Sequence, residues 1–209
     1  MHLHKAVSPK RTKAIDIRDD ELPHLLESSS VVVRRPLKFQ PPEWVNGPPG
    51  YSCLTPFRCV EFRGHSPGNG YCARFIPQPF VKGDMLWVRE RAWKVVRADG
   101  PDVADPESKS DGADGYIYAS RYRYCPCPHY ADVPSIQLPR WASRRTLEVS
   151  KVRVVRWHDI TDADAEAEGM PSVTSGEYEK RVRRVFGNRS WDKNEWVWSV
   201  FANVCCSTP

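Results

Sequence analysis

The chain has 209 residues, 40% of them hydrophobic and 27% charged, with Lys plus Arg at 31 against Asp plus Glu at 26. That length gives one domain enough core to fold without disulfides or metals, and 11% aromatic residues exclude wholesale disorder. The net charge of +5 admits a polyanionic partner without demanding one.

No apolar run approaches the roughly 18 residues of a spanning helix, and the N-terminus has no signal-peptide core. A cytoplasmic protein without membrane contact is therefore expected. Its organisation reads as a polar tail over 1–20, a single domain over 21–204 with insertions at about 51–80 and 98–130, and a short tail over 205–209.

Leu22, Leu25 and Leu26, spaced i, i+3, i+4 after the acidic Asp19-Asp20-Glu21, predict one or two turns of helix. Val31-Val32-Val33 reads as a short strand that runs into an extended, Pro-rich loop. Residues 51–82 mix Gly, Pro and Cys without clear periodicity, which suits an irregular insertion or a weak hairpin. Beyond the Gly83-Asp84 turn, Met85 to Val96 is apolar and β-branched enough for a strand pair or a long bent strand.

Residues 98–115 are rich in Asp, Gly, Pro and Ser and read as an acidic loop. Tyr116, Tyr118, Tyr122 and Tyr124 alternate with other residues, a period of 2 that predicts a strand over 116–124. With Arg121 and Arg123 nearby, this ladder is either a nucleic-acid platform or cross-strand packing. Thr146 to Trp157 is a further strand whose apolar phase slips from Leu147/Val149 to Val152/Val154, as a bulge near Ser150-Lys151 would allow.

Thr161 can cap a helix over Asp162 to Glu168 with Asp164 at the capping-box position, and Gly169 ends it. Ser175 can cap Glu177 to Phe186 before Gly187, with Tyr178, Val182, Val185 and Phe186 as its core-facing stripe. Glu195 to Val204 is apolar on nearly both faces, which marks a central strand. Many short strands with two short helices inserted predict an α+β fold built on a small curved β-barrel.

Two local patterns carry chemistry. Arg140, Arg144, Arg145, Lys151, Arg153 and Arg156 face only Glu148 among the acids of 140–156, a basic stretch with Trp141 inside it. Cys125-Pro-Cys127-Pro-His129 directs two sulfurs to one side of an extended segment but lacks the two-residue gap common at zinc sites. Its cysteines read as thiols, with a metal as the alternative. Phosphate-loop, Rossmann and nucleophile-elbow patterns are missing, so no cofactor is expected.

Five stretches together resemble the ASCH family of the PUA-like superfamily, in its tailed-phage and prophage form. They are Leu25-Leu26-Glu27 through Arg34-Arg35-Pro36-Leu37-Lys38, Lys82-Gly83-Asp84-Met85-Leu86-Trp87-Val88-Arg89-Glu90, Leu138-Pro139-Arg140-Trp141-Ala142-Ser143-Arg144, Asp159-Ile160-Thr161 through Glu166-Ala167-Glu168-Gly169-Met170, and Ser190-Trp191-Asp192 through Trp196-Val197-Trp198. The resemblance implies a small barrel with a cleft for RNA or a modified nucleobase. It also implies host-cell cytoplasm as the location of a phage-encoded member.

Some small bacterial members are amidohydrolases of N4-acetylcytidine that use a Lys, a Thr three positions on, an Arg, and a Glu in a later helix. Here the Lys position is Ser30 and the Thr position Val33, whereas Arg35, beside Arg34, and Glu168 are retained. Valine supplies neither a nucleophile nor a hydrogen-bond donor, and serine supplies no cation.

The resemblance thus favours a binding module for RNA, single-stranded nucleic acid or a modified nucleoside. Arg34, Arg35, Lys38, Arg140 and Arg144 would contact phosphates, and Trp141 would stack on a base. Glu168 is the one candidate catalytic group, as a general acid in an amidohydrolase or nuclease. A third reading gives the insertions to recognition of a host protein.

Overall fold

The computed structural model describes residues 11–45, 49–52, 58–95, 109–111, 114–121, 130–170 and 175–205. In chain order they form β1 (Thr12–Asp16), α1 (Leu22–Glu27), β2 (Ser30–Pro36), β3 (Gly50–Ser52), β4 (Cys59–Ser66), β5 (Gly70–Pro77), β6 (Met85–Arg89) and β7 (Ala92–Val95). There follow β8 (Lys109–Asp111), β9 (Asp114–Tyr118), β10 (Tyr130–Val133), β11 (Thr146–Arg156), α2 (Asp162–Glu166), α3 (Ser175–Phe186), α4 (Asn188–Asp192) and β12 (Trp196–Cys205).

The fold is mixed α+β, mostly strands in several sheets with few short helices. The sheets run in the orders β1-β6-β11-β12-β2, β10-β7-β9-β8 and β3-β4-β5. The chain divides into two compact units. One comprises Met1–Ser30, Gly83–Glu148 and Ala202–Pro209; the other comprises Val31–Lys82 and Val149–Phe201. No helix among the described residues is long and apolar enough to cross a membrane.

In the first unit β1 lies parallel to β6, from Thr12 opposite Met85 to Asp16 opposite Arg89. Polar composition does not announce β1, because only Ile15 of its five residues is buried. The segment expected to be a strand pair or one long bent strand is two strands, β6 and β7, that belong to different sheets. The Tyr ladder ends sooner than its period suggests: β9 stops at Tyr118 and a 3₁₀ turn occupies Ala119–Arg121. Tyr116 and Tyr118 point inward and form a core with Ala92, Val133, Leu138 and Ala142. Tyr122, Arg123 and Tyr124 lie outside the described residues, as do Cys125, Cys127, His129 and most of the acidic loop.

In the second unit residues 59–77 make a regular hairpin. β4 and β5 pair from Cys59 opposite Pro77 to Ser66 opposite Gly70. The turn places Pro67 before Gly68 at φ 81°, and Asn69 N–H returns to the Ser66 carbonyl at 3.1 Å, the arrangement of a type II turn. Gly64 is required for another reason: a Cβ there would run into the Trp44 carbonyl, where Val45 bridges to Gly64.

Helix α2 has the predicted capping box, with Thr161 and Asp164 satisfying each other's backbone N–H groups. Helix α3 packs Tyr178 and Val182 with Trp157, Ala165 and Val197. The short α4, absent from the periodicity, seats Ser190, which accepts from Trp157 Nε1 at 3.0 Å and donates to Glu195 at 2.6 Å. β12 is central, as expected, and buried from Trp196 to Val200. The apolar phase of β11 does slip, from buried Leu147 and Val149 to buried Val154.

Gly64→Ala should destabilise the protein by about 1–3 kcal/mol, because the obstacle is backbone and cannot swing aside. Urea unfolding followed by Trp fluorescence measures this, and a midpoint within error of the parent would refute the close approach.

Candidate functional site

In the second unit Arg34 and Glu168 meet inside the protein. Four consecutive residues of β2, Val31 to Arg34, are buried, and Arg34 is only 2% exposed. Its Nε donates to Ser199 Oγ at 3.0 Å and its Nη1 to the Asp164 carbonyl at 3.2 Å. Nη1 also contacts Glu168 Oε1, and Nη2 lies 3.4 Å from the Asp164 carboxylate. Burial lowers the pKa of Arg34 from its ordinary value, opposed by Tyr178 and Asp164.

Glu168 lies in the turn after α2, 5% exposed. Its Oε1 also accepts from Tyr178 Oη at 3.0 Å, and Oε2 accepts from Arg181 Nη1 at 2.5 Å. Asp164 joins the cluster from the capping box. Burial pushes its carboxyl up, but the Thr161 hydroxyl and backbone N–H, together with Arg34 and Arg153, outweigh that and hold it below the usual aspartate range. Arg153 contributes at 3.2 Å and lays its guanidinium 4.6 Å from the Phe201 ring.

Both oxygens of Glu168 are thus engaged as acceptors, so the group has internal partners rather than an open approach. The site expected from the sequence did not include Arg181 or Ser199, and the sequence pattern gave Asp164 a capping role alone. A signal for Arg181 existed: it interrupts the apolar stripe of α3 three residues after Tyr178, and a cation on a core-facing stripe requires a buried carboxylate. Arg35, half-buried, donates to the Arg34 carbonyl at 2.7 Å. Lys38 is exposed, its Nζ 5.6 Å from the Phe39 ring.

In the first unit Arg144 is also buried, not presented as an outward clamp. It forms a fork with Glu90, Nε to Oε1 at 2.9 Å and Nη2 to Oε2 at 2.5 Å, with side-chain exposures of 2% and 1%. Nη2 also reaches Ser120 Oγ at 2.9 Å, and the guanidinium lies 4.1 Å from the Tyr118 ring centroid. A planar guanidinium serves both contacts at once, its N–H edge to the carboxylate and its face to the ring.

Trp141 belongs to the 3₁₀ turn Arg140–Ala142 and is 39% exposed. Tyr116 meets its ring edge-on, 5.3 Å between centroids at 72°. The turn is tied down on both sides: Tyr118 Oη donates to the Ala142 carbonyl at 2.6 Å, and Ser143 Oγ to the Val88 carbonyl at 2.8 Å. Arg140, the preceding residue, is exposed. Trp93, Trp196 and Trp198 are core, while Trp87 is only half-buried.

Comparison with protein-family models, with curated proteins and with solved structures finds no match to this chain.

Two stability measurements check the buried cluster. Glu168→Gln should cost about 3–5 kcal/mol in urea unfolding, since Arg34 and Arg181 lose their shared counter-charge, and a loss below about 1 kcal/mol would contradict the pairing. The depressed pKa of Asp164 adds stability above the unfolded aspartate value, about pH 4, and that contribution disappears as pH falls through the folded value. The gap between parent and Asp164→Asn should therefore be full at pH 7 and close in acid; a gap independent of pH would contradict the assignment.

Proposed function

We propose that this protein is a phage-type ASCH module, its strands curved into a PUA-like barrel, that binds single-stranded RNA or a modified nucleotide. The observation that carries the reading is Trp141: a large indole left partly in water, braced edge-on by Tyr116 and preceded in the chain by exposed Arg140. An exposed indole held in one orientation is a stacking platform, and base stacking on an aromatic ring is worth about 1–3 kcal/mol. Arg140 supplies the phosphate contact that positions the strand.

Arg34 and Arg144 are not offered to a phosphate in this reading, because each is paired with a buried carboxylate. The slip of apolar phase along β11 supports the curvature a small barrel needs. The amidohydrolase reading has less support. Ser30 and Val33 replace its Lys and Thr, and Glu168 already accepts from Arg34, Arg181 and Tyr178.

Anisotropy of a fluorescein-labelled U12 RNA should report binding that weakens linearly in log K against log salt. Trp141→Ala should reduce affinity about five- to hundredfold, and Trp141→Phe should restore much of it. Arg140→Ala should lower the salt slope by about 1. Absence of binding at low ionic strength, or an unchanged Trp141→Ala protein, would overturn the proposal.

A further inference from the structure

The β4–β5 hairpin has two unlike faces. Val60, Phe62 and Ile76 on one side are buried. The other side carries Tyr71, Ala73 and Phe75 on β5, opposite His65, Arg63 and Glu61 on β4. Tyr71 is 61% exposed and Phe75 48%, and both belong to β5, an edge strand of its sheet. Large rings stranded in water on a regular strand lack the burial that ordinarily justifies them.

The register makes this face chemically specific. Four residue steps along β5 take one ring position to the other, about 13–14 Å at strand rise. Between them Ala73 is too short to fill the gap, and directly across from Ala73 stands Arg63, whose side chain is 57% exposed. Arg63 donates to Glu61 at 2.6 Å, which steers the guanidinium along the strand. His65 meets Tyr71 edge-on, 5.6 Å between centroids at 75°, and limits the ring's rotation. The pattern is aromatic, cation, aromatic, all on one open face.

We propose that this hairpin face is a second contact surface for single-stranded nucleic acid, with one base stacked on Tyr71, the base two nucleotides further on stacked on Phe75, and a phosphate of the intervening nucleotide at Arg63. It takes its ligand class from the nucleic-acid reading above but is carried by different residues, in the other compact unit. A strand-adding peptide would use the backbone edge of β5 and leave the rings without a role. An extended single strand uses two π faces and an intervening cation together, because every base offers a π face and every linkage an anion.

The test uses the full chain with U12 RNA and dT12, comparing Tyr71→Ala/Phe75→Ala, Tyr71→Phe, Arg63→Ala and Trp141→Ala. The double variant should lose at least fivefold in affinity with unchanged thermal midpoint, since both side chains are exposed. Tyr71→Phe should bind as the parent does, because the phenyl face still stacks. Arg63→Ala should lower the salt slope by about 1.

If Trp141→Ala weakens binding and the double variant does not, the hairpin proposal fails and the Trp141 reading stands. If only the double variant weakens binding, the hairpin stands and Trp141 loses its role. A parent protein that binds neither oligonucleotide ends both. Concentration-dependent self-association abolished in the double variant, without any effect on U12 or dT12, would make the face an interface between copies and overturn the proposal.

Discussion

A guanidinium taken out of water has to meet a carboxylate, and each compact unit is organised around one such meeting. In one, Arg34 and Arg181 converge on Glu168. In the other, Arg144 grips Glu90 in a two-point fork. Burying either partner alone would cost several kcal/mol, so each pair fixes the elements that bring its members together. Glu168 can reach Arg34 only if the chain turns after α2 as it does, and Arg181 can reach Glu168 only if α3 presents Tyr178 and Val182 inward. The register of a helix and the path of a turn follow from the placement of charge.

The exposed chemistry depends on this buried chemistry. Glu90 lies between β6 and β7, and Arg144 is two residues before the start of β11, so their fork holds the start of β11 to the first unit's core. The 3₁₀ turn carrying Trp141 sits just before that anchor, and the hydroxyls of Tyr118 and Ser143 hold its backbone. An indole on such a turn has little freedom to collapse onto the surface. The hairpin reaches a similar end differently. Phe62 packs edge-on against Trp196 at 5.2 Å, and Gly64 closes on Trp44, so the buried face is fixed and the opposite face is free to carry rings.

Local patterns were legible where one element's own chemistry decided the outcome. The Thr161–Asp164 capping box, the α3 stripe ending before Gly187, the α1 turn at Leu22 and Leu25, and the doubly buried β12 all follow from periods and caps within a few residues. Less legible were β1, whose polar residues pair with β6 from far along the chain, and the β4–β5 hairpin, whose buried positions are broken by Arg, Gly and His. The Tyr run misled because its period continues past the point where β7 stops offering a partner: the β9 pairing ends at Tyr118 opposite Ala92.

The sequence by itself determined the elements whose own caps and periods suffice, α1, α2, α3 and β12 among them, and it supplied the Arg and Glu residues that look like clamps and acids. Only the tertiary structure decided which of those charges face water. Arg34, Arg144 and Glu168 read as surface chemistry because charge is ordinarily solvated, yet each found an opposite charge from a distant segment that made burial tolerable. A one-dimensional pattern has no term for that partner. Desolvation is decided by what surrounds a side chain from every direction, and that surrounding exists only once the chain has folded.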